Sequence, residues 1–332
     1  MIKENRNLKI DILKGILIVF VILGHITKIP YFDWFHMPLF FMISGYLLKV
    51  PEKGKCGLWI AKRAETLLIP YISYYFVFLL LEYKEISFGD IKSLIVSGKG
   101  LVGIFGVWWF PLCLLISSVI LVNLINYMTE KQIRWILSVL YFSAIIISNV
   151  IKFTDSNLLF LVPWNLDVCL LTVPYMAIGY YYKKNQVAIG EKLFRKSSFF
   201  AALFIIGVFI AIDVLGIYQY TFRMKYSQYT NFILAFLIPL AASVVLYKMV
   251  EWIVGSRLQG ILAEFGKISM VLMYVHNFVI HQIKPFFAGN NIILEYFLLL
   301  VICLLSGYIW TKICGFSKIS KVLFVNGKVG ET

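Results

Sequence analysis

Residues 10–27 read IDILKGILIVFVILGHIT, an apolar run of membrane-spanning length interrupted by Asp11, Lys14 and His25. A helix needs about 20 mostly apolar residues to cross the hydrocarbon layer. Each ionisable group inside it is costly unless it has a partner, a wet cavity or a function. Asp11 and Lys14 are three residues apart and can pair on one face. Lys14 and His25 are about three turns apart and differ by only about 20° around the axis. One stripe therefore carries Asp11 and Lys14 at one end and His25 roughly 16 Å along. It must face the interior of a bundle, and it would suit a substrate lying lengthwise between helices. The structural alternatives are an interfacial Asp11–Lys14 pair with Lys14 snorkelling, and a hydrogen-bonded helix contact for His25. Lys3, Arg6 and Lys9 ahead of the run resemble the start of a signal peptide. The internal charges, the missing A-x-A-like cleavage site and the span that follows make it an uncleaved first helix.

Moving outward, nine more segments qualify as spans: roughly 34–50, 66–82, 107–126, 134–151, 165–182, 197–215, 230–250, 266–283 and 292–312. The 332-residue chain is 61% hydrophobic and 14% charged, against about 25% charged residues in a soluble domain. The expected fold is an all-α polytopic bundle of about ten transmembrane helices. It forms a single membrane-embedded domain over residues 1–332, with a short cytoplasmic tail at 313–332. Placing the N-terminus inside puts 22 of the 31 Lys and Arg residues on the inner side and 8 on the outer, so both termini are expected in the cytoplasm. The net charge of +14 lies in short gaps between apolar runs, where anionic headgroups sit, and points to membrane lipid rather than nucleic acid.

The longest connection, about 83–106, faces outward, and its Ser97-Gly98-Lys99-Gly100 lacks phosphate-loop spacing. It reads as a connector or a flexible cover over an outer cavity. The five cysteines form no C-x-x-C and read as small packing residues.

The four histidines, His25, His36, His276 and His281, all lie in or beside spans. The short turn Lys28–Asp33 lets His25 and His36 meet near the outer half of the bilayer. His276 and His281 are five apart and turned by about 140°, so they do not face one cavity; His281 suits the lipid interface better. The spacings do not match zinc sites, and no metal is expected. A neutral imidazole in an apolar site is instead suited to take a proton from a hydroxyl. Trp108, Trp109, Asp167 and Glu82 are outer-side candidates for binding a substrate, the tryptophans otherwise serving as interface anchors. Lys62 and Arg63 precede the third span, where they satisfy the positive-inside bias and could also hold phosphates of a cytoplasmic donor.

These residues resemble a known family. Asp11-Ile-Leu-Lys14-Gly15 leading to Gly24-His25 is similar to the first-helix signature of the membrane-bound acyltransferase 3 family. Phe35-His36-Met37-Pro38-Leu39-Phe40-Phe41-Met42-Ile43-Ser44-Gly45-Tyr46 resembles that family's next motif, especially in the branch related to fucose 4-O-acetylases. Lys62-Arg63 running into Leu68-Ile69-Pro70-Tyr71, Trp109-Phe110, and Ser269 with Tyr274 and His276 are further matches. The resemblance implies a ten-helix enzyme of the cell membrane. Such an enzyme moves an acyl group, usually acetyl, from cytoplasmic acyl-CoA to a hydroxyl of an extracytoplasmic glycan or lipid-linked sugar. It makes the basic residue, here Lys14 where many relatives have Arg, and His25 the essential pair. His36 and His276 are further catalytic candidates that could orient His25, bind the acceptor or stabilise the oxyanion, and Lys62, Arg63 and Lys14 could hold the phosphates of the acetyl-CoA donor. The rival from another class is a transporter or flippase for a glycan or its lipid-linked precursor. Transporters usually carry internal repeats, and no matching halves are found here.

Overall fold

Asparagine side chains open three of the long helices. The Asn7 carboxamide oxygen accepts the Ile10 N–H at 3.4 Å, that of Asn231 accepts from Ile233 and Leu234, and that of Asn291 from Ile293 and Leu294. Each satisfies backbone donors that the first helical turn leaves unpaired. In this computed structural model, which describes residues 7–96, 98–153, 162–287 and 291–326, they begin α1 (Leu8–Thr27), α10 (Phe232–Ile253) and α13 (Ile292–Gly315). The other helices are α2 (His36–Tyr46), α3 (Cys56–Tyr83), α4 (Phe88–Val96), α5 (Trp109–Tyr127), α6 (Glu130–Phe153), α7 (Leu166–Lys184), α8 (Gln186–Leu193), α9 (Lys196–Val214), α11 (Leu258–Lys267), α12 (Ser269–Ile283) and α14 (Lys318–Lys321). The sheet among the described residues is one antiparallel pair, β1 (Phe222–Arg223) with β2 (Gln228–Tyr229).

The protein is thus an all-α membrane bundle. Among the described residues, seven helices are long and apolar enough to cross a bilayer: α1, α3, α5, α6, α9, α10 and α13. The run α11–α12 passes that test only as one segment bent by 84°. All ten expected spans are helical at their cores, but α2 has 11 residues, about 16 Å of helix against about 30 Å of hydrocarbon. Hydropathy reads through the turns on either side of α2, which is why the sequence gives it 17 residues. The basic residues Lys3 and Arg6 lie outside the described residues.

The central helix is α1, and its neighbours come unusually close. A Cβ added at Gly15 would overlap the Leu262 carbonyl of α11, and one at Gly266 would overlap the Asp11 carbonyl. The same reciprocal contact joins α2 to α7: Gly45 lies on the Met176 carbonyl and Gly179 on the Met42 carbonyl. Small residues let membrane helices pack backbone to backbone, and these two crossings lock α1 to α11 and α2 to α7. The described part of the expected tail, up to Asn326, packs on the bundle. Tyr74 on α3 donates to the Phe324 carbonyl at 2.9 Å, and the Phe324 ring packs on Tyr74 and Trp310.

Candidate functional site

A cavity of about 1240 Å³ runs along α1. The residues α1 contributes to its wall include Lys14, Ile18, Val21, His25 and, at its C-terminal cap, Lys28, spaced as one helical stripe. Near the start of α1 the lining also includes Lys49, Trp59, Lys62 and Arg63. At the far end it includes Asp33, His36, Trp109, Arg223, Lys225 and Asn277. The stripe read from sequence therefore faces one continuous space, with Lys14, Lys62 and Arg63 toward one end and His25 toward the other.

His25 sits in the last turn of α1 with its ring centroid 5.0 Å from that of His276 and the planes at 58°. His276, on α12, is fully buried behind it. Its Nδ1–H donates to the Leu272 carbonyl at 2.8 Å, since a carbonyl can only accept. That fixes the neutral tautomer and leaves Nε2 as an acceptor, which is buried and has no hydrogen-bond partner. An unsatisfied buried acceptor costs about 1–3 kcal/mol, so its place against His25 calls for a donor. His36 opens α2 one short turn after α1, and its Nδ1–H donates to the Phe32 carbonyl, four residues back. His36 also lines the cavity. His25 and His36 thus line one cavity, as the short turn between them implies, and His276 joins them from behind His25.

His281 differs from its expected lipid-facing position. It is exposed, lines the cavity and stands 3.8 Å from Glu82. Three expected binding residues lie elsewhere. Trp108 is fully buried away from the cavity; its indole N–H donates to the Tyr71 carbonyl at 3.1 Å, and its ring packs on Phe105 and Tyr274. Its neighbour Trp109 lines the cavity, because adjacent residues point in different directions around a helix start. Glu82 lies outside the lining and accepts from Gln282 at 2.6 Å, tying α3 to the end of α12.

Asp167 is also a structural residue. Its carboxylate pairs with the ammonium of buried Lys99 and accepts from the Ser227 hydroxyl. Asn165 donates to the Lys225 carbonyl at 2.9 Å, and the Lys225 ammonium donates to the Leu101 carbonyl. These contacts tie the loop 98–108 to the hairpin 222–229. Asn277 on α12 donates to the Gly103 carbonyl at 3.4 Å, so the glycine-rich connection is a tethered cover over the histidine end. Burial pushes the Lys99 ammonium down, with Asp167 opposing.

Asp33, Arg223 and Lys225 were missed as site residues. Arg223 and Lys225 had a visible signal, since they are two basic residues in a loop that the charge count of the sequence assigns to the outer side, against the positive-inside bias. All five cysteines are buried and unbridged; Cys113 and Cys169 stand 3.5 Å apart between α5 and α7, beside Ser117 and Thr172.

A ten-segment hydropathy pattern, a helical bundle and a basic-to-imidazole stripe on one cavity define an integral-membrane group-transfer candidate. A family model described as an acyltransferase domain matches residues 7–311, and the chain belongs to the acyltransferase 3 family. Similar curated proteins are two copies of nodulation protein NolL. The one from Sinorhizobium fredii is 30% identical over 219 residues, 59% of this chain and 54% of that protein. The one from Mesorhizobium japonicum is 33% identical over 152 residues, 41% of this chain and 40% of that protein. The chain thus spans about half the length of the curated relatives it matches. No solved structure matches it.

Proposed function

We propose that the protein is a membrane O-acyltransferase. It takes an acyl group, acetyl by family analogy, from cytoplasmic acyl-CoA and gives it to a hydroxyl of a cell-surface glycan or lipid-linked sugar. The observation that carries this reading is the continuous cavity with Lys14, Lys62 and Arg63 toward one end and His25 toward the other. In this reading all ten helical segments sit in the cytoplasmic membrane of a bacterium, with both termini in the cytoplasm. The basic end then faces the donor and the histidine end faces the acceptor.

The donor phosphates lie near Lys62, Arg63 and Lys14, and the pantetheine arm follows the α1 stripe up to His25. An 11-residue rise of about 16 Å is of the order of that arm's extended length. His25 removes the proton from the attacking hydroxyl as its oxygen adds to the thioester carbonyl. The C–S bond then breaks, and the thiol leaves toward the cytoplasm after receiving a proton. General-base help of this kind contributes about 10²–10⁴-fold. His276 supports His25 through its unpartnered Nε2, which can accept a hydrogen bond from one ring N–H of His25 and so leave the other His25 nitrogen facing the cavity. Trp109 and His36 stand on the acceptor side.

The test is transfer of label from radiolabelled acetyl-CoA to candidate glycans by the purified protein, with His25→Gln as the comparison. Label on the glycan in the wild type alone supports the enzyme. Movement of unmodified glycan across a vesicle membrane without labelling would make the chain a transporter.

A further inference from the structure

We propose that the acceptor carries an anionic group, a phosphate or a carboxylate, close to the hydroxyl that is acylated, and that Lys28, Arg223 and Lys225 receive it at the histidine end of the cavity. This names the acceptor class for the acyl-transfer reading, while the anion site itself rests on independent geometry. Lys28 caps α1 in the left-handed region, at φ 60°, one turn beyond His25. Arg223 ends β1 and Lys225 lies in the turn that follows. Two segments far apart in the chain thus bring three cations to the wall that holds His25.

The bundle pairs other basic residues with carboxylates: Lys99 with Asp167, Lys184 with Glu130, Lys248 with Glu251. Among the described residues, no carboxylate lies within 4.0 Å of Lys28, Arg223 or Lys225. The Lys225 ammonium is only partly exposed and gives one of its three donors to the Leu101 carbonyl, leaving two for a ligand. The acid on this wall is Asp33, which interacts electrostatically with both Lys28 and Arg223. Burial pushes its carboxyl up, with His36, Arg223 and Lys28 opposing. Like charges held together in a low-dielectric cleft repel one another and concentrate an oppositely charged ligand. An arginine and two lysines can together clamp one phosphate or carboxylate. The same site would align the neighbouring hydroxyl on His25.

The full chain, purified in a neutral detergent with its donor end filled by saturating CoA, is titrated by calorimetry. The probes are inorganic diphosphate and, separately, methyl glucuronide. We expect at least one to bind with millimolar or better affinity, diphosphate pointing to a phosphoryl-linked acceptor and glucuronide to an acidic sugar. Arg223→Gln should weaken that binding about tenfold, the worth of one charge-assisted hydrogen bond. Arg223→Lys should recover most of it, and Lys28→Gln serves as a second variant at an exposed position. Unchanged CoA affinity in these variants reports the intact fold. Failure of both anions to bind, or binding indifferent to Arg223 and Lys28, overturns the proposal. Anion binding without acyl transfer would sink the enzyme reading but leave the site, whereas transfer without anion binding would do the reverse.

Discussion

Replacing Asp167 by Asn tests whether this residue holds the fold rather than the substrate. Lys99 and Asp167 have side-chain exposures of 2% and 5%, so their charges are almost wholly removed from water. Desolvating each charge is costly, and the pair is tolerable because the two meet and Ser227 adds a hydrogen bond. Removing one partner of such a buried pair costs about 3–5 kcal/mol, mostly from the charge left behind. The loss should appear as a shift of the unfolding midpoint in mixed micelles, with Ser227→Ala costing about 1.5–3 kcal/mol for one charge-assisted bond. Replacing both charges together, Lys99→Met with Asp167→Leu, should recover most of the loss, because a packed apolar pair avoids both desolvation penalties. The refuting result is an Asp167→Asn protein of wild-type stability whose acceptor KM has risen. That would return Asp167 to the substrate site.

Adding one methyl at Gly45 or Gly266 should prevent the close crossings of α2 with α7 and of α1 with α11; overpacking costs about 1–3 kcal/mol or more, so Gly45→Ala should lower the yield of folded protein in detergent, whereas Gly207→Ala, with open space around it, should not. Lys14→Ala should raise the KM for acyl-CoA and Lys14→Arg should not, measured by initial rates; a fully active alanine variant removes Lys14 from the donor site. Burial pushes the Lys225 ammonium down to about 8, so anion binding should be complete below that pH and fall as pH rises through it, whereas an ordinary lysine would hold its charge until about 10.4. Sulfate, whose charge is constant over this range, is the probe, and the step should vanish in Lys225→Arg.

What the sequence conveys well is what hydropathy and helical spacing encode. The α1 stripe is the clearest case: residues 14, 18, 21, 25 and 28 line one cavity because apolar flanks force the ionisable groups inward. The meeting of His25 with His36 follows from a turn too short to separate them. The meeting with His276 needs α12 to bend back from α11 at 84°, which no local pattern announces. Span lengths are less legible, because an apolar turn and an apolar helix score alike, and α2 is short for that reason. Trp108 and Asp167 were misplaced for a tertiary cause. Both stand at the ends of spans, where anchors and binding residues are common, but Trp108 packs inward on Phe105 and Tyr274 while Lys99 and Ser227 close over Asp167. Whether Lys99 reaches Asp167 depends on a contact 68 residues apart, and charge counting sees only two residues on the same side.

The most direct measurement of the central claim is single-turnover transfer of label from acetyl-CoA in the purified protein, comparing wild type with His25→Gln at equal occupancy of donor. If His25 takes the proton of the attacking hydroxyl, the variant should bind acetyl-CoA normally and transfer label at least about 10²-fold more slowly. Transfer at the wild-type rate by a folded, donor-loaded His25→Gln protein would contradict the account.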